Sequence, residues 1–235
     1  MKNALFASAF VALLSACDEP AVEGNGRLVE RTPRPGAFTG VSVGLDLEGF
    51  VSPGPGSVRV NLDENLHDWL EPSTDGGTLE FRARDGRELD ASEGAWVRMT
   101  SPRIERVSTS GAAKLVADVS PTERLPLRAS GASILNVRSI ASRRVDVRLS
   151  GASVVTLAGS AEALSVDASG ASDVDSRVPC EAVEVEASGA SRVRVLAARS
   201  IRGRASGASE ITVVGRPAER AIETSGAATV VYVDD

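Results

Sequence analysis

The chain is poor in the residues from which active sites and stacking platforms are usually built. Aromatic side chains are only 3% of its 235 residues, which argues against rows of rings for stacking bases or sugars. There is one histidine, His67, so a Ser-His-Asp site would have to use it. There are two cysteines, Cys17 and Cys180. With Cys17 committed elsewhere, one thiol cannot close an internal disulfide, and stability must come from backbone pairing and packing. Only two lysines occur, and the net charge is −6, so the basic footprint of a nucleic-acid binder is missing. No Cys/His spacing suits zinc. Gly54 and Gly56 alternate with Pro53 and Pro55 and do not open a helix, so they form no phosphate loop. No stretch keeps a 3.6-residue period long enough for a helix. The residues call for no metal and no cofactor.

The N-terminus carries an address. Residues 1 to 16 read MKNALFASAFVALLSA: one lysine, an apolar run and small residues. This is the pattern of a secretory signal peptide, too short for a membrane-spanning helix. The junction Leu14-Ser15-Ala16-Cys17 resembles the lipobox of bacterial lipoproteins at every position. That resemblance implies cleavage before Cys17 and a diacylglycerol on its sulfur. Each buried methylene contributes roughly 0.8 kcal/mol, so two or three acyl chains hold a protein at a bilayer. Asp18 resembles an inner-membrane retention signal of some enteric bacteria, and the choice of membrane, periplasmic or surface side, stays open.

Without residues 1 to 16 the chain keeps 219 residues, since 235 − 16 = 219, and a net charge of −7, since Lys2 is lost. Residues 17 to 35 are rich in Gly, Pro and charge and read as a flexible tether. Residues 36 to 100 alternate in short apolar runs (FTGVSV, SVRVNL, TLEFRAR) broken by Pro-Gly-Pro-Gly at 53 to 56 and Asp75-Gly76-Gly77. They read as a β-rich part that caps or continues the C-terminal half of the chain. Within it NLHDWL suits one helical turn, and residues 85 to 95 a polar loop.

From residue 101 the chain repeats itself. Ser-Gly-Ala-(Ala/Ser) occurs seven times, with serines at 110, 130, 150, 169, 188, 206 and 225 and steps of 20, 20, 19, 19, 18 and 19. A fixed period near twenty marks a stack of equivalent units. Three residues before each serine stand Val107, Leu127, Val147, Val166, Val185, Gly203 and Ile222. Five after it stand Leu115, Leu135, Val155, Val174, Val193, Ile211 and Val230. Apolar residues two apart on both sides of the signature are strand periodicity. The expected fold is therefore all-β: a parallel β-solenoid with rungs of about 19 residues, each of two or three short strands. Seven rungs would make a rod of roughly 30 Å. Right-handed coiling is favoured by the handedness of parallel crossovers. Gly111, Gly131, Gly151, Gly170, Gly189, Gly207 and Gly226 are expected at the corners, where positive φ and close approach of the next backbone both need glycine.

Charges at matching positions change sign from rung to rung: Arg148/Asp167, Glu186/Arg204/Glu223, Asp173/Arg192/Glu210 and Asp175/Arg194. Side by side in a parallel ladder they would attract. Each exposed pair is worth only ~0.2–1 kcal/mol, so their expected role is register.

Together, Phe38-Thr39-Gly40-Val41-Ser42-Val43, the segment LHDWLEPSTDGGTLEFRAR at 66 to 84, TSPRIERVSTSGAAKL at 100 to 115 and the Ser-Gly-Ala rungs resemble the bacterial head GIN domain family, labelled auto-transporter adhesins. The resemblance covers roughly 36 to 235. It implies a β-helical cell-envelope protein, often a lipoprotein, and brings no established catalytic residues. No translocator β-barrel pattern accompanies it.

The candidates for chemistry are few. His67 beside Asp68 and Trp69 reads as a capping or surface residue. Seven copies of Ser-Gly-Ala without a second glycine are scaffold, not nucleophile elbows. Cys180 reads as a small core residue. Asp167, Asp173 and Asp175 share one rung and could bind Ca²⁺ or act as an acid/base pair, but the ladders offer each an arginine. Serine rows next to small residues, not paired threonines, give little support to an ice-binding face. The reading is a non-enzymatic, membrane-anchored binding or adhesion scaffold whose partner is envelope polysaccharide or a surface protein. The alternative is a polysaccharide-degrading β-helix enzyme using acidic residues.

Overall fold

The computed structural model describes residues 20–234; Cys17 and the expected signal peptide lie outside them. The described residues form strands β1 (Val22–Glu23), β2 (Leu28–Arg31), β3 (Gly40–Val43), β4 (Glu48–Pro53), β5 (Ser57–Asp63), β6 (Leu70–Asp75), β7 (Thr78–Ala83), β8 (Leu89–Asp90), β9 (Trp96–Ser101), β10 (Arg106–Thr109), β11 (Lys114–Asp118), β12 (Thr122–Ala129), β13 (Ile134–Leu149), β14 (Val154–Ala168), β15 (Asp173–Ala187), β16 (Arg192–Ala205), β17 (Glu210–Val214), β18 (Glu219–Thr224) and β19 (Thr229–Val233). One 3₁₀ turn, Arg84–Gly86, is the only helix among them. NLHDWL closes a single turn, with the Leu70 N–H donating to the Leu66 carbonyl at 3.1 Å.

The strands coil into a parallel β-solenoid in the register that the repeats imply. Val107, Leu127, Val147, Val166, Val185, Gly203 and Ile222 lie in one column, strand over strand. Leu115, Leu135, Val155, Val174, Val193, Ile211 and Val230 make a second. In the coil that starts at Ser130, the inward side chains come in three groups: Ser133, Leu135 and Val137; Ile140 and Ser142; Val145, Val147 and Leu149. β13 bends between the first two groups at Ser139, whose φ is +59°. Short aliphatic residues dominate because the interior is narrow, and fully burying each contributes about 1.5–3 kcal/mol.

The corners are built as the glycines require. All seven have φ between +65° and +77°. From the second corner on, each alanine after a glycine donates its N–H to the carbonyl of the corner glycine one coil earlier, from Ala132–Gly111 at 2.8 Å through Ala152–Gly131 at 2.7 Å to Ala227–Gly207 at 2.8 Å. The fourth position has its own task. Ser153, Ser172, Ser191 and Ser209 are buried, and each hydroxyl donates to the carbonyl three residues earlier, at 2.9–3.1 Å. A serine there satisfies a corner carbonyl and itself from inside the coil.

The N-terminal part both continues and caps the stack. β3 and β4 lie parallel beside β10 and β11 and form a coil of their own. β7 and β9 stack in turn on β3 and β4, so this layer is out of sequence order. The antiparallel strands β2, β5 and β6 close the end. The tether expected over 17–35 is in part structured: β2 pairs with β5 and β1 with β8. Leu28–Arg31 does not alternate, but it pairs with Val60–Asp63 and extends the sheet edge despite the flanking Gly and Pro. At the other end, Arg220 occupies the core column of Leu125, Val145, Leu164, Val183 and Ile201. Its guanidinium lies 4.5 Å from the Tyr232 ring centroid and its Nε donates to the Pro217 carbonyl at 3.0 Å. A charge at an inward position discourages further strand addition.

Asp63 holds the cap together. Its buried carboxylate accepts hydrogen bonds from the N–H of Gly26 at 2.7 Å, the N–H of Ser92 at 2.8 Å and the Ser92 hydroxyl at 2.7 Å. Burial alone would raise its pKa, but these bonds outweigh burial and hold it below the ordinary 3.8. A depressed carboxyl stabilises the fold above its unfolded value, and that contribution is lost as pH falls through the lower folded value. Asp63→Ala, which leaves three donors without an acceptor, should cost about 3 kcal/mol at pH 7. Asp63→Asn should show a shallower loss of stability on acidification than the parent. Parallel curves of urea midpoint against pH for the two proteins would refute the role assigned to the carboxylate.

Candidate binding surface

The residues that could have carried chemistry sit in structural roles. His67 Nε2 lies 2.7 Å from the Val29 carbonyl, where it ties the turn to β2, and Asp68 pairs with Arg31 at 3.1 Å. Cys180 is buried, its thiol 3.5 Å from the Val178 carbonyl. Burial pushes its pKa up to about 11, so the thiolate is scarce at neutral pH.

The three aspartates of one rung are divided by a corner. Asp167 lies one residue from the end of β14 before Ser169–Ser172, and Asp173 and Asp175 stand at the start of β15 after it. Asp175 pairs with Arg177 at 3.2 Å and Arg194 at 3.9 Å. Of the expected ladders, Arg204–Glu223 closes to 3.2 Å. Arg148/Asp167, Glu186/Arg204 and Asp173/Arg192/Glu210 are adjacent in register, but none forms an ion pair among the described residues. Long arginines in solvent do not need to close onto the nearest rung. The tightest charge cluster lies elsewhere, at Asp146, which accepts from Arg124 and, at 2.7 Å, from Arg144. Burial would raise this carboxyl, but the bonds from Arg144 and Arg124 hold it below the ordinary range. Arg144 also reaches Glu184 at 3.8 Å, and Glu184 reaches Arg202 at 3.8 Å. These chains of opposite charge brace the wall of β12 to β16. Among the described residues, no three His, Cys, Asp or Glu side chains converge as a metal site.

What remains is surface, and one part of it is unlike the rest. On the outer face near the capped end, Trp96 and Arg98 of β9 stand beside Phe50 of β4 and Arg59 of β5. The register places Phe50 and Arg59 on either side of Arg98. The Arg98 guanidinium lies 4.3 Å from the Trp96 ring centroid and 5.6 Å from that of Phe50. Arg59 lies 5.9 Å from the Trp96 centroid. Phe50 is 40% exposed. The neighbouring charges are balanced: Arg59 makes a two-point pair with Glu30 at 2.7 and 2.9 Å, and Lys114 lies 3.6 Å from Glu48. Arg98 is held by ring faces and has no carboxylate among the described residues. Below the patch, β11, β13 and β14 present Val116, Ile134, Asn136, Val154 and Thr156 at outward positions, a neutral strip flanked by Lys114 and by the Asp118–Arg138 pair, and it ends at Asp173 and Asp175. The sequence reading missed this patch. The available signal was an outward Trp and Arg in WVRMT and an outward Phe in EGFVS, but only the β4–β9 register brings them together.

The architecture is that of a capped parallel β-solenoid whose corners, walls and ends are all accounted for by scaffold chemistry. The sequence profile of the family described as "Putative auto-transporter adhesin, head GIN domain" matches residues 37–217, and the chain belongs to that family. Solved structures share the fold. A protein of Bacteroides fragilis described as a "putative adhesin" superposes with a TM-score of 0.84 at 16% identity, covering 91% of this chain and 100% of its own. A Parabacteroides distasonis protein described as a "putative lipid binding protein" gives 0.69 at 17% identity, with 91% and 100% covered. A "putative adhesin" of the same species gives 0.65 at 18%, with the same coverage. No curated protein matches the sequence significantly.

Proposed function

We propose that the protein is a cell-envelope lipoprotein, anchored through acyl chains on Cys17, whose solenoid is a non-enzymatic adhesion scaffold. The observation that carries this reading is the wall itself. Outward side chains stand in columns, one per coil, on a stack braced by backbone ladders and by the Asp146 and Asp175 charge clusters. Such a wall offers an extended, rigid surface that needs no reordering on contact, which suits it to a long or repeating partner. The family to which the chain belongs and the adhesin descriptions of its structural neighbours agree with it. The partner is envelope polysaccharide or a surface protein, and the acyl anchor keeps the scaffold at a bilayer, on the periplasmic or the surface side.

Two measurements test this. The purified protein should bind saturably to envelope fractions, and growth with labelled palmitate should mark the parent and not Cys17→Ser. Absence of binding to every envelope fraction would remove the scaffold reading. Release of reducing ends from acidic polysaccharide, abolished by Asp173→Asn, would replace it with an enzyme.

A further inference from the structure

We infer that the Trp96–Arg98–Phe50 patch is a binding site for a carboxylated, uronate-bearing polysaccharide. This rests on the scaffold reading above and names its ligand and its place on the wall.

Large aromatic rings are scarce in this chain. The sequence has two tryptophans and five phenylalanines, and Phe50 is the phenylalanine among the exposed large hydrophobics of the described residues. It stands on the same outer face as Trp96, in the adjacent strand. Exposing a large ring forgoes the gain from burying it, so an exposed Phe50 beside a half-buried Trp96 on the same face calls for a reason. Ring faces at a surface offer a flat, weakly hydrated platform for the C–H face of a pyranose. Between the rings lies Arg98. Its planar guanidinium is oriented by both rings, at 4.3 and 5.6 Å, so little further ordering is needed when it takes a carboxylate. The adjacent cations are already neutralised, Arg59 by Glu30 and Lys114 by Glu48. The patch therefore presents one uncompensated, preoriented two-point donor beside two ring faces, which matches one acid group per sugar.

The surroundings favour a sugar chain over the other acidic partners. An anionic membrane attracts clusters of several cations, and here a single one is free. An acidic peptide would gain most from a long open strand edge, but β4 and β9 are each paired on both sides in this region, and β5 is covered by β2 from Val60 on, which confines its open edge to Ser57–Arg59. A polysaccharide needs neither. It can leave the patch along Val116, Ile134, Asn136, Val154 and Thr156, a neutral strip crossing three coils, before it meets the carboxylates of Asp173 and Asp175.

The test is titration calorimetry of the purified protein with polygalacturonate and alginate, against neutral dextran and poly-glutamate of similar length. Binding is expected for the two uronate polymers only. Arg98→Gln should weaken it by roughly tenfold or more, as expected for a central contact, with an unchanged thermal midpoint. Phe50→Ala is the second variant and should weaken it on the same scale. Uronate binding indifferent to both substitutions would overturn the site. Equal binding of poly-glutamate would overturn the sugar in favour of an acidic peptide. If no uronate polymer binds while envelope fractions still do, this inference falls and the scaffold reading stands. If neither binds, both fall.

Discussion

Gly151→Val is expected to destabilise the protein by about 4 kcal/mol. Two causes add. At φ +77° the residue lies where a β-branched side chain is strained. A Cβ built there would also sit 2.5 Å from the Gly131 carbonyl oxygen and 3.1 Å from its nitrogen. The clash is with backbone, which cannot step aside without breaking the 2.7 Å bond from Ala152 N–H to that carbonyl. The next corner depends in turn on Gly151, whose own carbonyl receives Ala171 N–H at 2.7 Å. Gly151→Ala should show most of the loss, since the first carbon makes the contact. Two controls separate the causes. Gly26 has φ +77° and nothing within 4 Å of a built Cβ, so Gly26→Ala should cost only about 1 kcal/mol. Gly56 has an ordinary φ and open space, so Gly56→Ala should lie within about 0.5 kcal/mol of the parent. A Gly151→Val midpoint equal to that of Gly26→Ala would mean that the corners are looser than the glycine column implies.

The coils were legible because their information is local and repeated. Period, alternation and corner glycine are each written into the chain, and agreement among seven copies fixes register to the residue. The first coil shows where this fails. Its corner is Gly44-Leu45-Asp46-Leu47, which lacks the signature. Positive φ is taken by Leu45 at +61° and Asp46 at +54°, and Asp46 Oδ1 accepts the Ala112 N–H at 2.8 Å in place of a corner carbonyl. Side-chain chemistry replaced backbone chemistry, so the repeat has nothing to match there. The layer of β7 and β9 was illegible for another reason. It stacks on strands that precede it in sequence, and nothing local in TLEFRA or WVRMT states that order.

The binding patch suffers the same limit more severely. Trp96, Arg98 and Phe50 are ordinary in their own segments, and the site exists only through a pairing of distant strands. The charge ladders were half legible. Register was readable from position alone, but whether an arginine closes on the rung beside it depends on rotamers that solvent leaves free. Asp146 was missed because its two arginines approach from different positions: Arg124 on the coil before, and Arg144 two residues away on the same strand.

Gly203→Val inverts what the repeat pattern recommends. Gly203 stands in a core column otherwise filled by Val107, Leu127, Val147, Val166, Val185 and Ile222, so a valine there looks like a repair. The geometry says that it destabilises by about 4 kcal/mol. With φ at +146°, a Cβ would point not into the core but at the neighbouring strand, 1.8 Å from the Val185 carbonyl oxygen and 2.7 Å from its carbon. The cause lies in coil length. Ser188 to Ser206 is the shortest step, 18 residues, and within it β16 falls out of register with β15 twice, between Arg194 and Leu196 and between Ala197 and Ser200. A coil one residue short must recover its path, and a glycine whose φ other residues avoid lets β16 do so. Gly159 repeats the logic where the step first drops from 20 to 19. It has φ +136°, lies at the register shift between Val137 and Ile140, and a Cβ there would be 2.2 Å from the Ile140 carbonyl oxygen. The coupling can be measured. Adding one alanine between Val195 and Leu196 restores a 19-residue step, and in that background Gly203→Val should lose most of its penalty, a coupling of a few kcal/mol in a double-mutant cycle of thermal or urea midpoints. Equal penalties in both backgrounds would separate the glycine from the shortened coil, and a gain in stability from Gly203→Val alone would show that β16 can take the path of its neighbours without it.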